Sequence, residues 1–231
     1  MKEIEIKENG YTYEMREELK TLRTNIQFCG DDKRVILLTS SVASEGKSTT
    51  ALNLAISLTE LGKKVMLVDA DIRKSVMVSW VKGGKMEFGL SHFLAGQCQV
   101  SEAVYAVSNV DNLYLMIAGP VVPNPTELLS TDRFEKMLIA FRKVYDYIII
   151  DGPPLGMVVD SAIIARHCDG AAIVIEFGTI KYRFAQDVKA KLQNAGCPVL
   201  GVILNKVDRK KNGQYYGKYY GKYYGKYYGK E

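Results

Sequence analysis

Apolar residues come along this chain in short runs, and longer amphipathic stretches separate the runs. Val35–Leu38 is one such run, compact and flanked by polar residues, which predicts a buried strand. The same reading applies to 64–68, 113–118, 145–151, 171–176 and 199–204. Between them apolar residues recur at helical spacing. Leu52, Ala55, Ile56 and Leu58 mark a helix over 48–61, closed by Gly62. Phe134, Leu138 and Phe141 mark another, capped by Ser130 or Thr131 and running to Val144. Stretches 158–168 and 181–195 read as helices as well, the second closed by Gly196. Ahead of the first strand, Tyr13–Phe28 predicts a helix with Met15, Leu19, Leu22 and Ile26 turned inward. Residues 1–13 read as a loose leader or an edge segment. Region 74–112 is less regular: Gly83, Gly84 and Gly89 mark turns, a short helix starts at Gly89, and 100–107 suggests another.

Strand and helix thus alternate. Alternation with right-handed crossovers predicts an α/β fold: a mainly parallel central sheet with helices on both faces. Ligands of such sheets gather at the carboxyl ends of the strands. The stretch that fixes attention there is 35–50, VILLTSSVASEGKSTT. A strand, a turn of small residues and Gly46-Lys47-Ser48-Thr49 opening a helix form a phosphate-binding loop, and the fold is then that of a P-loop NTPase. Main-chain N–H groups and the positive helix end favour an anion. Lys47 would reach the β and γ phosphates, and Ser48 would ligate Mg²⁺. Ser41 stands where the loop's first glycine is usual. Two further acidic strand ends join it. Asp69 and Asp71 follow 64–68, and two carboxylates there repel unless a cation intervenes; a capping pair is the plainer alternative, but beside a phosphate loop the cation-binding reading is favoured. Asp151 ends the apolar run Ile148–Ile150 in the Walker B pattern, where an aspartate holds Mg²⁺.

Composition limits the alternatives. The chain of 231 residues is 47% apolar, enough for one large domain with a real core. No leader-like N-terminus or apolar run of membrane-spanning length is present, which predicts a cytoplasmic protein. Cys29, Cys98, Cys168 and Cys197 are far apart and form no CxxC pair, so buried free thiols are expected rather than zinc or disulfides. His92 and His167 have no metal-spaced partner and read as packing residues. The net charge of +5 is uneven: residues 209–231 hold seven basic side chains against Glu231, leaving the other 208 residues at −1. A basic body reading nucleic acid is excluded. On the first helix Glu17, Lys20 and Arg23 lie along one stripe, which reads as a solvated face.

From Gln214 the chain repeats Tyr-Tyr-Gly-Lys four times, placing Tyr215, Tyr216, Tyr219, Tyr220, Tyr223, Tyr224, Tyr227 and Tyr228 in a low-complexity tail. The domain reading is therefore 1–208 as one folded unit, with its first helix at about 13–28, and 209–231 as a flexible tail. A stacking platform for single strands, a membrane-surface anchor and a row of phosphate acceptors compete for the tail. Each phosphate would add about −1.5 to −2 charges, so about four would cancel the tail's +6.

These motifs together resemble the bacterial tyrosine kinases of capsule and exopolysaccharide synthesis. The resemblance runs through 41–49, MLVDADIR at 66–73, GPVVPNPTELL at 119–129, 148–154 and the tyrosine cluster. It implies an ATP- and Mg²⁺-dependent kinase that phosphorylates its own tail tyrosines, in trans between subunits. Ser44, Glu45, Gly46, Lys47, Ser48, Thr49 and Asn205 would bind nucleotide, and Ser48, Asp71 and Asp151 would hold Mg²⁺. Lys47, Asp69 and Asp71 would be catalytic, with Asp69 orienting or deprotonating the acceptor hydroxyl. The family's Glu-x-x-Arg-x-x-Arg oligomerisation motif falls on Glu17, Lys20 and Arg23, with Lys20 at the first arginine; the stripe then becomes a subunit contact. The implied partners are the chain itself, in a ring-like homo-oligomer with an octamer as candidate size, a membrane adaptor that activates the kinase and recruits it to the inner membrane face, and a tyrosine phosphatase. No nucleic acid is implied. A MinD- or ParA-like ATPase switch is the runner-up, although its second lysine is replaced here by Val42. A catalytically idle binding module is the third reading.

Overall fold

The computed structural model describes residues 2–7 and 10–207. In chain order its elements are β1 (Lys2–Ile6), α1 (Tyr13–Phe28), β2 (Val35–Ser40), α2 (Lys47–Thr59), β3 (Val65–Asp69), β4 (Val81–Gly83), α3 (Leu90–Leu94), β5 (Tyr105–Val107) and β6 (Leu113–Met116). They continue as α4 (Pro125–Leu129), α5 (Asp132–Arg142), β7 (Tyr147–Asp151), α6 (Asp160–Ala165), β8 (Gly170–Glu176), α7 (Tyr182–Asn194) and β9 (Val199–Asn205). The strands form one sheet in the order β4-β1-β5-β6-β3-β7-β2-β8-β9. Its centre, from β6 to β9, is parallel throughout, while β1–β4 and β5–β6 pair antiparallel.

Side chains alternate across the pleat, and both faces are covered. Val35, Leu37, Met66, Val68, Ile148 and Ile150 pack with apolar residues of α3 to α7. Ile36, Leu38, Val65, Leu67, Tyr147 and Ile149 pack with α2 and Ile26 of α1. This double burial is why the central strands are continuously apolar rather than alternating. Truncating one such side chain, Leu37→Ala for instance, costs about 2–5 kcal/mol.

Three expectations fail here. Residues 2–6 are not a loose leader: Ile4 and Ile6 are buried and β1 lies between β5 and β4. Region 100–107 is not a helix but one 3₁₀ turn, Val100–Glu102, followed by β5; β-branched and aromatic residues there suit a pleat, and pairing with β1 supplies the partner. The inward stripe of α1 is thinner than its spacing suggests. Only Ile26 is buried, Leu22 packs partly, and Tyr13, Met15 and Phe28 face outward. All four cysteines are free, but Cys29 and Cys168 are only half-buried. No described helix is long and apolar enough to cross a membrane.

The amino-terminal edge of the sheet is closed by a polar network. Asp169, just before β8, accepts the N–H groups of Arg34 (2.9 Å) and Val35 (2.7 Å) and a two-toothed contact from Arg142 (2.9 and 2.7 Å). Arg34 in turn donates to the carbonyls of Asp146 (3.0 Å), Arg142 (2.9 Å) and Tyr145. Asp146 takes the N–H of Lys64 at 2.7 Å. Partial burial pushes the Asp169 carboxyl up, yet Arg142 and the two main-chain donors outweigh it and hold it below the usual carboxylate value.

Candidate active site

Strand register assembles the opposite edge. Asp69 and Asp151 end β3 and β7 as paired neighbours, and Leu38 of β2 pairs with Asp151. Three strand ends that are far apart in sequence thus open at one point. The loop 41–46 leaves β2 there, and α2 begins at Lys47. Gly46 turns the chain with φ of 84°, and a Cβ would lie 2.0 Å from Asn205 Nδ2, so glycine is required both for the turn and for the close approach.

Above these ends lies a cavity of about 500 Å³ lined by Ser44, Gly46, Lys47, Ser48, Thr49 and Asp71, with Arg73, Lys74 and Lys206 at its margin. An apolar wall of Pro153, Pro154, Met157 and Val158 faces the loop. Lys47 is buried; its Nζ meets Asp151 Oδ1 at 2.5 Å and Ser48 Oγ at 3.2 Å. Ser48 also contributes a hydrogen bond to Asp151. Asp69 is fully buried and accepts the Asp71 N–H (3.2 Å) and the Ser75 hydroxyl. Asp71 Oδ1 accepts the Lys74 N–H at 3.0 Å.

The electrostatics follow from this crowding. Burial pushes the Asp69 carboxyl well up, the charge of Asp151 adds to it, and Ser75 and Lys47 pull against both. Burial also raises Asp151, opposed by Lys47 and Ser48. Two buried acids beside one ammonium form a site short of positive charge, which a divalent cation would supply. Among the described residues no three His, Cys, Asp or Glu side chains stand together as a metal cage. Mg²⁺ suits such a place, because it is held by one or two carboxylates, a hydroxyl, water and substrate phosphates rather than by an all-protein cage.

The structure therefore brings Ser44, Gly46, Lys47, Ser48, Thr49, Asp69, Asp71 and Asp151 together. It sets the side chains of Glu45 and Asn205 apart. Glu45 is buried, with Oε2 accepting the N–H groups of Ser41 (2.7 Å) and Val42 (2.8 Å), and Asn205 donates to the Glu45 carbonyl at 2.9 Å. On α1, Glu17 and Lys20 pair with each other at 2.7 Å, while Arg23 turns inward to Glu60 (3.1 Å) and the Ser57 carbonyl (2.5 Å) of the α2 region. The eight tail tyrosines lie in 208–231, outside the described residues.

Two features were not read from the sequence. Arg73 is fixed at the cavity margin by buried Asp160, at 2.5 and 3.0 Å, with Thr126 bridging to Asp160 at 3.0 Å. The signal available was the arginine closing MLVDADIR, but its acidic partner lies 87 residues away. Lys206 is the second. Its Nζ donates to the Ser44 carbonyl at 2.7 Å and pairs with Glu176 at 2.8 Å.

Sheet order, loop and acidic strand ends define a P-loop nucleotide-binding protein. Residues 33–183 match the family model described as AAA domain. The chain is 43% identical over 192 residues to the tyrosine-protein kinase CpsD of Streptococcus agalactiae, covering 83% of each. Its structure is similar to the kinase domain of the Escherichia coli tyrosine kinase ETK, with a TM-score of 0.79 at 28% identity over 83% of this chain and 75% of that one. It is also similar to the septum site-determining protein MinD of Pyrococcus horikoshii, complexed with Mg-ADP, with a TM-score of 0.62 at 26% identity over 76% and 71%. The chain belongs to the bacterial tyrosine-protein kinases.

Proposed function

We propose that this kinase transfers the γ-phosphoryl group of ATP, with Mg²⁺, to the tyrosines of its own 209–231 segment, between subunits, and thereby regulates capsule or exopolysaccharide synthesis. The observation that carries the reading is the meeting of Lys47, Ser48, Asp69, Asp71 and Asp151 at one sheet edge. Lys47 and the loop amides hold the phosphates, with Ser44 and Thr49 on the cavity wall. Ser48, Asp71 and Asp151 would hold Mg²⁺, which when bound neutralises charge on the phosphates. A tyrosine hydroxyl of pKa near 10 is a weak nucleophile at neutral pH. Asp69, pushed up by burial, is the stronger base for it. The phenolic proton passes to Asp69 as the tyrosine oxygen bonds the γ-phosphorus and ADP leaves.

The domain extends over 1–208 in this reading, with the tail as acceptor. Ring-like self-association would use α1, whose outward Tyr13, Met15 and Phe28 suit a subunit contact. A membrane adaptor would hold the cytoplasmic kinase at the inner membrane face, and a phosphatase would reverse the modification.

The test is incubation with labelled ATP and Mg²⁺, with and without the adaptor, followed by mapping of modified residues. Label on Tyr215 to Tyr228 that disappears in Lys47→Met is the expected result. Hydrolysis without phosphotyrosine, even with the adaptor, would move the reading to a MinD-like switch.

A further inference from the structure

The phosphate loop of this chain is held by side chains that bond its own main chain. Glu45 is the centre of the arrangement. It is a carboxylate buried within the loop itself, with 1% of its surface exposed. Oε2 takes the N–H groups of Ser41 and Val42, and Oε1 takes the N–H of Glu176 at the end of β8, at 3.2 Å. Two amides at the start of the loop are thus bound by an anion that belongs to the chain, and the loop is tied to the neighbouring strand. The loop's carbonyls are held as well. Asn205 Nδ2 grips the Glu45 carbonyl, and Lys206 Nζ grips the Ser44 carbonyl. Lys206 also pairs with Glu176, which closes the circuit.

The backbone shows that this hold works against local preference. Ser44 and Lys206 have φ of 68° and 56°. The left-handed region is unfavourable for a residue with a side chain, and such conformations persist where surrounding contacts over-determine them. Here two residues in that state are joined directly by the Lys206–Ser44 hydrogen bond. Ser41, in the place where a phosphate loop usually begins with glycine, buries its hydroxyl without a hydrogen-bond partner. Serine stands in that place, and Glu45 bridges the loop's first two amides.

We infer that Glu45, Asn205 and Lys206 are positioning residues that set the phosphate loop for ATP through its main chain, Glu45 as its strut and the end of β9 as its tether. Each of them bonds the loop's main chain. The inference rests on nucleotide binding at this loop. The end of β9, which leads toward the proposed acceptor segment 209–231, is thereby part of the loop's support.

The test is Mg·ADP affinity by titration calorimetry, together with KM for ATP and kcat, on the full chain. Glu45→Ala is expected to weaken Mg·ADP about 10- to 100-fold, and Glu45→Gln less, since its amide oxygen still accepts while its NH₂ opposes a donor. Lys206→Met is expected to raise KM for ATP about 5- to 20-fold, and Lys206→Arg to recover most of that loss. Lys206 is half-exposed, so its variants are informative even where Glu45→Ala does not fold. Wild-type affinity and KM in folded Glu45→Gln and Lys206→Met would overturn the inference. So would a loss confined to melting temperature. Failure of the wild-type chain to bind Mg·ADP would instead overturn the nucleotide reading beneath it.

Discussion

The two edges of the central sheet use the same residue types for opposite ends. At the amino-terminal edge, Asp169 meets Arg142 and two main-chain donors, and its carboxyl is held below the usual value. At the carboxyl edge, Asp69 and Asp151 are neighbours across a strand pair, Lys47 bonds Asp151, and both carboxyls are pushed up. The cause is donor supply. Before β8 the chain provides Arg142 for both acid oxygens and two amides for one of them. At the ends of β3 and β7 burial is complete but the donors fall short. A charge-satisfied edge contributes stability; an under-satisfied one retains capacity to bind a cation and take a proton.

Asp69→Asn should separate the two roles most sharply. Tyrosine phosphorylation is expected to fall about 10²- to 10⁴-fold, while the melting temperature stays level or rises, because a buried like-charge contact is removed. A large loss of melting temperature would mean that Asp69 is structural. Asp169→Ala should do the reverse. We expect a loss of about 2 kcal/mol, given the partial exposure of the Arg142–Asp169 pair, or roughly 4–8 °C in melting temperature. Mg·ADP affinity should be unchanged at temperatures where the variant is folded.

The edges should also titrate with opposite sign. The lowered pKa of Asp169 gives a contribution that is complete above the unfolded value near 4 and is lost as pH falls through the folded one. The raised pKa of Asp69 gives a contribution that is complete below about 4 and is lost as pH rises toward the folded value. Melting curves against pH should therefore show the Asp169→Ala deficit shrinking in acid. The Asp69→Asn advantage should grow as pH rises above about 4. Parallel curves for wild type and both variants would contradict this account of the edges.

The smallest effect belongs to Ser41→Ala. It removes a buried hydroxyl that has no partner, so stability should hold or increase by up to about 1 kcal/mol. A clear loss in thermal denaturation would show that the hydroxyl has a hidden role in the loop.

Much of this was legible in the chain. Double burial made β2, β3 and β7 continuous apolar runs, and each ended in a residue that chemistry could interpret: the loop after β2, Asp69, Asp151. The helix at Tyr13–Phe28 followed from its spacing, but the direction of its faces did not. Arg23 turns to α2 of its own chain, and a three-residue stripe cannot say which neighbour it meets. β1 and β5 were missed because each is short and depends on the other. Glu45 was read as a ligand residue from its place in the motif, whereas its carboxylate supports the loop.

By itself the sequence determined the alternating α/β order, the phosphate loop, the acidic strand ends and the tyrosine repeat, since each is a local pattern set by periodicity or by adjacent residues. Only the tertiary structure decided which acids share one point, which of them are starved of donors, and that Asn205 and Lys206 reach back across 160 and 162 positions to the loop. Strand register and burial set those relations, and both arise when segments distant in the chain pack against each other.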